Sequence, residues 1–122
     1  MKSNESSEDY LETILILSGK LPVVRSVDIA NELGFKKSSV SVAMKKLREQ
    51  GHITTTDAGY IFLTETGKEI ADKVYERHTL FTDFFVKLGV DEETAENDAC
   101  RIEHVISEQS YEAFKKYVSS NA

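Results

Sequence analysis

The chain has 122 residues, of which 40% are hydrophobic and 30% charged, with a net charge of −6 and a single cysteine. That balance suits one compact unit, or two small units sharing a continuous core, and excludes a disordered chain. No run approaches the roughly 18 apolar residues of a membrane span, Met1 to Asp9 is too polar and acidic for a signal peptide, and lone Cys100 forms no internal disulfide, so the expected compartment is the reducing cytoplasm.

Helical spacing begins at Ser6 or Ser7, which can cap a helix carrying Tyr10, Leu11, Ile14, Leu15 and Leu17 inward; Gly19 and Pro22 stop it. Ser26 can cap a short helix with Val27, Ile29, Ala30 and Leu33 apolar, and Gly34 supplies a left-handed end. A third helix runs from about Lys37 to Gln50, with Val40, Ala43, Met44 and Leu47 inward and Ser39, Ser41, Lys45, Lys46 and Arg48 outward. After Gly51, the β-branched run His52 to Thr56, the turn Asp57-Ala58-Gly59 and Tyr60 to Leu63 predict a short hairpin. Thr66 and Glu69 read as a capping box opening a long helix to about Leu88, closed by Gly89. Helices over about Asp91 to Ile106 and Glu108 to Val118 complete the set. With no Pro/Gly-rich linker, the boundary between halves falls inside the long helix, giving 1–72 and 73–122.

The order helix, short helix, tight turn, helix, hairpin is that of a winged helix-turn-helix, in which the second helix of the pair enters the major groove. The expected fold is therefore mainly α, with an N-terminal winged helix bearing a two-stranded β-wing and an all-helical second half. From Lys20 to His52 there are seven Lys/Arg against three acids, a local charge of +4, so the remainder carries −10. A basic segment within an acidic chain fits a DNA reader joined to a cation-binding or dimerising half. The candidate DNA contacts are Arg25, Lys36, Lys37, Ser38, Ser39, Ser41, Val42 and Lys45. Short hydroxyls and free N–H groups at the helix start suit phosphate, and the lysines release counterions. An ordinary solvated surface helix is the competing reading, and Tyr60 is expected simply to pack against the third helix.

The acidic half holds side chains with metal-donor chemistry. Cys100, Glu103 and His104 stand at i, i+3 and i+4, so all three are expected to project from one helix face, with Glu96 a turn earlier on the same face. Asp9 and Glu12 form an i, i+3 pair on the first helix, and His78 lies on the long one. Thiolate, carboxylate and imidazole together suit a first-row divalent metal rather than calcium or magnesium. Taken singly, each has a plainer reading: Asp9 as a helix-dipole partner, Glu12 and Glu103 as solvated acids, both histidines as satisfied imidazoles, Cys100 as a small core residue.

Glu8-Asp9-Tyr10-Leu11-Glu12, Asp28-Ile29-Ala30, Ser39-Val40-Ser41, Leu63-Thr64 with Gly67, Arg77-His78, and above all Ala99-Cys100-Arg101-Ile102-Glu103-His104-Val105 carry a resemblance to the diphtheria-toxin-repressor family. It covers essentially the whole chain. The resemblance implies an iron- or manganese-dependent repressor with Asp9, Glu12, His78, Cys100, Glu103 and His104 as ligands. With the sequence ending at Ala122, the resemblance in architecture is expected to be to the short, two-domain manganese-responsive members, lacking the SH3-like third domain of the longer iron regulators. Cys100, however, stands where manganese-type members place a glutamate and iron-type members a cysteine. A thiolate favours softer metals, so Fe(II) is expected first and Mn(II) next, with Zn(II) or Co(II) able to substitute in vitro. Thr82 and Glu96 depart from the iron-type ancillary site, where Glu96 could still donate.

The expected mechanism is metal locking the reader onto the other half. A homodimer formed through Leu80, Phe81, Phe84, Phe85, Ile102, Val105 and Ile106, with Phe114 and Tyr117, would then set two recognition helices about 34 Å apart on palindromic operator DNA. Neither a membrane nor a small-molecule substrate is expected. Two rivals stand beside it: a winged-helix dimer sensing an organic ligand or partner protein, and, more remotely, a small metallohydrolase, for which there is no His-Glu-x-x-His, nucleophile elbow or phosphate loop.

Overall fold

The computed structural model describes residues 5–120, with side chains from Ser7 onward. The elements in order are α1 (Glu5–Ser18), α2 (Ser26–Leu33), α3 (Lys37–Glu49), β1 (Ile53–Thr55), β2 (Ile61–Leu63), α4 (Glu65–Lys87), α5 (Glu92–Ile102) and α6 (Glu108–Ser120). Two compact units emerge, Lys2–Asp72 and Lys73–Ala122, with α4 contributing residues to both. No described helix is long and apolar enough to cross a membrane.

In the first unit the apolar stripes of three helices meet. Leu11 and Ile14 of α1, Ile29 of α2, and Val40 and Leu47 of α3 are fully buried together with Ile53 and Ile61 of the hairpin. Each such aliphatic side chain contributes about 1.5–3 kcal/mol by leaving water. Gly34 ends α2 at φ 71°, the left-handed conformation expected of it. The strands pair antiparallel with Ile53 opposite Leu63 and Thr55 opposite Ile61. Val24, which the hydrophobic pattern left in a loop, bridges to Ile61, whose N–H donates to the Val24 carbonyl at 2.8 Å.

Helix starts differ from expectation for a common reason: the approach of the preceding chain decides which group reaches the exposed N–H donors. Ser6 and Ser7 both lie inside α1, which is already helical at Glu5, so neither is its cap; residues 1–4 lie outside the described residues. Ser26 is the first helical residue of α2 rather than its cap; Arg25 precedes the helix, and the Asp28 carboxylate reaches back to accept its N–H at 2.9 Å. Thr64, not Thr66, caps α4, because β2 ends at Leu63 and the next hydroxyl accepts the Gly67 N–H at 3.2 Å. Thr66 instead donates to the Gly51 carbonyl.

The second unit is organised around aromatic rings. Phe81 stacks on Phe114 with centroids 4.7 Å apart and lies 5.9 Å from Tyr111, and Phe81, Ala99 and Tyr111 are buried. This corrects one sequence expectation: Phe81, assigned to a dimer face, is 3% exposed and belongs to the chain's own core. Burial and the Glu76 carboxylate, which accepts the Tyr111 hydroxyl at 2.9 Å, push that hydroxyl's ionisation well above its ordinary value. α5 stops at Ile102, short of the expected Ile106, and residues 103–105 form a turn.

Candidate metal centre and nucleic-acid face

Within the second unit, α4 supplies His78, α5 supplies Cys100, and the turn after α5 supplies Glu103 and His104. The last two are therefore not on a continuous helix, as their spacing suggested. Glu103 is the residue that ends α5. It keeps helical dihedrals, φ −61° and ψ −25°, and its N–H still donates to the Ala99 carbonyl. One extra helix-like step holds the grouping intact: single donor atoms of Cys100, Glu103 and His104 lie within 4.8 Å of one another.

Glu103 dominates the electrostatics, since its side chain is fully buried. Removing a carboxylate from water is costly unless its oxygens find partners. One oxygen, Oε1, lies 2.8 Å from His78 Nδ1, a hydrogen bond that fixes the orientation of the imidazole ring. The other, Oε2, is 3.4 Å from His104 Nε2 and makes no hydrogen bond. Glu96 is more peripheral, with its carboxylate 4.0 Å from His78 Nε2 and 60% exposed. Cys100 is exposed. A buried carboxylate oxygen without a hydrogen bond, beside a thiol and an imidazole, is a donor set that a first-row divalent cation satisfies. The residues present fit such an ion.

In the first unit, Asp9 and Glu12 lie one turn apart on α1, Asp9 half-buried and Glu12 at 9% exposure. Both are less solvated than free surface acids.

Arg77 is a participant that spacing alone did not single out. Its side chain is 12% exposed, and Nη1 donates to the carbonyls of Glu103 (3.1 Å) and Ile106 (3.3 Å), while Nη2 donates to Glu108 at 2.9 Å. Its place directly before the candidate donor His78 was the signal available, but its burial is not readable from sequence.

The nucleic-acid candidates all lie on the surface: Arg25, Lys36, Lys37, Ser38, Ser39, Ser41, Val42 and Lys45 are exposed, Val42 at 70%. All but Arg25 belong to α3 or to Lys36 just before it. Arg25 sits over the Tyr60 ring at 5.0 Å and donates to its hydroxyl at 3.4 Å, so the wing tyrosine supports an arginine of the reader. Phe62 on β2, unremarked in the sequence, is 47% exposed. Of the dimer candidates, Leu80, Phe84, Phe85, Ile102, Ile106 and Phe114 are half-buried, whereas Val105 and Tyr117 are exposed.

Comparison with known proteins gives the same division of labour. Residues 3–59 match the family described as "Iron dependent repressor, N-terminal DNA binding domain", and residues 64–121 match "Iron dependent repressor, metal binding and dimerisation domain". The chain is 35% identical over 117 residues to an uncharacterised HTH-type transcriptional regulator of Methanocaldococcus jannaschii, covering 94% of each chain. It is 33% identical to the transcriptional regulator MntR of Escherichia coli, covering 96% of this chain and 76% of that one. Among solved structures it resembles a manganese-dependent transcriptional repressor in complex with manganese (TM-score 0.83, 26% identity), covering 92% of this chain but only 52% of that one. The metal-dependent regulator MtsR gives a TM-score of 0.86 at 25% identity, with 98% and 55% covered. The chain belongs to the iron-dependent repressor family, the diphtheria-toxin-repressor family of metal-responsive transcriptional regulators.

Proposed function

We propose that this chain is a metal-responsive transcriptional repressor that acts in the cytoplasm as a homodimer on palindromic operator DNA. The observation that carries this reading is the buried Glu103 carboxylate, whose Oε2 lacks a hydrogen bond beside Cys100 and His104. The reader is residues 1–72, with Arg25, Lys36, Lys37 and Lys45 on phosphates, Ser39 and Ser41 at the helix start, and Ser38 and Val42 near base edges. The dimerising half is residues 73–122, with Leu80, Phe84, Phe85, Ile102, Val105 and Ile106 toward the second copy.

The ligand set in this reading is Asp9 and Glu12 from the reader with His78, Cys100, Glu103 and His104 from the other half, and Glu96 as an auxiliary donor. A bound divalent cation supplies the positive charge that lets these carboxylates share one locus. In this reading, removal of the cation leaves the carboxylates of the set without a shared positive partner and lowers affinity for operator DNA. At about 100 times the dissociation constant, linkage contributes about 2.7 kcal/mol to the ligand-preferring state, a shift of about a hundredfold in its population.

Fe(II) comes first and Mn(II) next in this proposal. Cys100 and the family's description favour iron, whereas the similarity to a manganese-dependent repressor solved with manganese favours manganese. DNA binding measured with anaerobic Fe(II), Mn(II), Zn(II) and a chelator, for the wild type and Cys100→Glu, tests both levels. Chelation is expected to abolish specific binding, and Cys100→Glu to move the preference toward Mn(II). Specific binding that ignores the chelator would overturn the metal reading in favour of an organic effector. An unchanged preference in Cys100→Glu would remove the argument for iron.

A further inference from the structure

We propose that Arg77 is a positioning residue for the metal centre, holding the ligand-bearing turn after α5 through its backbone rather than touching any metal. The inference rests on the reading of His78, Cys100, Glu103 and His104 as ligands.

Glu103 and His104 lie beyond the last regular residue of α5, where helix carbonyls lose their partners and the chain is free to fray. Beyond the Glu103 N–H bond to Ala99, the backbone ties this turn back through a single acceptor: the Val105 and Ile106 N–H groups both turn to the Ile102 carbonyl, at 3.2 Å and 3.1 Å. Arg77 closes this gap from α4. Its Nη1 spans the Glu103 and Ile106 carbonyls, one at each side of the turn that contains His104. The fork is itself restrained: Nη2 binds Glu108, the first residue of α6, and the guanidinium lies 4.9 Å from the Tyr111 ring. A planar guanidinium can serve two carbonyls and a carboxylate at once, which a lysine ammonium on a flexible stem does less well.

The sequence position adds a second consequence. Arg77 directly precedes His78, so one stretch of α4 carries both a ligand and the clamp for the turn that carries two others. Outer-shell groups of this kind set the orientation of ligands, and losing one costs about 10- to 100-fold in metal affinity.

The test uses the full chain and Co(II) alone as probe, reading affinity by titration and ligand geometry from the visible absorption of the loaded protein. Arg77→Met, which keeps the stem and loses the fork, is expected to bind Co(II) about 10- to 100-fold more weakly. Its Co(II) spectrum is expected to change, while apo helix content stays at the wild-type level. Arg77→Lys is expected to recover part of the affinity, and Glu108→Gln to show a smaller loss. If Arg77→Met fails to fold, Arg77→Lys and Glu108→Gln decide, with the same expected directions. Wild-type affinity and spectrum in the folded variants would overturn the positioning role, as would a loss of affinity that merely follows lost apo helix content with the spectrum intact. A wild-type chain that binds no Co(II) would instead overturn the metal reading itself.

Discussion

An alanine at Gly67 would put its Cβ in overlap with the carbonyl oxygen of His52, with the carbonyl carbon 2.9 Å away. Gly67 lies in the first turn of α4 with ordinary helical dihedrals, so the conflict is steric and not one of backbone conformation. The His52 carbonyl cannot easily retreat, because it accepts the Thr64 N–H at 3.0 Å and its neighbour Gly51 accepts the Thr64 hydroxyl at 2.7 Å. Relief therefore demands a shift of backbone on one side, either of α4's first turn or of the residue leading into β1. Overpacking costs about 1–3 kcal/mol, and weakening one or two of these hydrogen bonds adds about 1 kcal/mol each, for a total of about 3 kcal/mol. For a unit of this size that corresponds to a fall of roughly 12 °C or more in Tm. Thermal melting of Gly67→Ala followed by circular dichroism measures it. Gly19→Ala is the control: its Cβ would meet only the Ile16 carbonyl at an ordinary 3.5 Å, and its Tm is expected to hold or rise slightly. A Gly67→Ala protein melting within about 3 °C of wild type would refute the packing argument.

Glu103→Gln keeps the shape of the buried side chain and removes its charge; metal affinity by calorimetry is expected to fall more than about 100-fold, beyond an outer-shell loss, without a lower apo Tm. Arg25→Ala is expected to weaken binding to specific and non-specific duplexes alike, and to reduce the salt slope of log K by about 0.9 if it neutralises one phosphate. Asp91 caps α5, and the Thr94 N–H, with the Thr94 hydroxyl, holds its carboxyl below the usual range. Because the folded value is the lower one, that contribution is present above the unfolded value of about 3.9 and is lost as pH falls through the folded value. Melting curves at pH 5 and pH 3 are expected to show a smaller acid loss in Asp91→Asn than in wild type; equal losses would contradict the assignment.

Much of the architecture follows from periodicity. The apolar spacing along α3, the Gly34 stop and the turn at Asp57-Ala58-Gly59 are local signals, each tied to a conformation that few other residues adopt, and the structure has them where they were read. The nearness of Cys100, Glu103 and His104 was also legible, because three- and four-residue spacings bring side chains together on any helix-like turn. Boundaries were less so. Ser26 and Thr66 both look like caps, yet the capping group is whichever one the incoming chain aims at the free N–H donors, and that direction is set by β2 and by the approach to α2.

What the sequence determines by itself is chemistry and local geometry: which residues can donate to a cation, which can meet phosphate, and which spacings coil. Tertiary structure alone decided that Val24 joins the hairpin, that Phe81 faces inward, that Glu103 is sealed from water, and that Arg77 spans a turn more than twenty residues away. The physical reason is that burial and long-range hydrogen bonds depend on what packs opposite a residue, and no window of neighbouring letters contains that information.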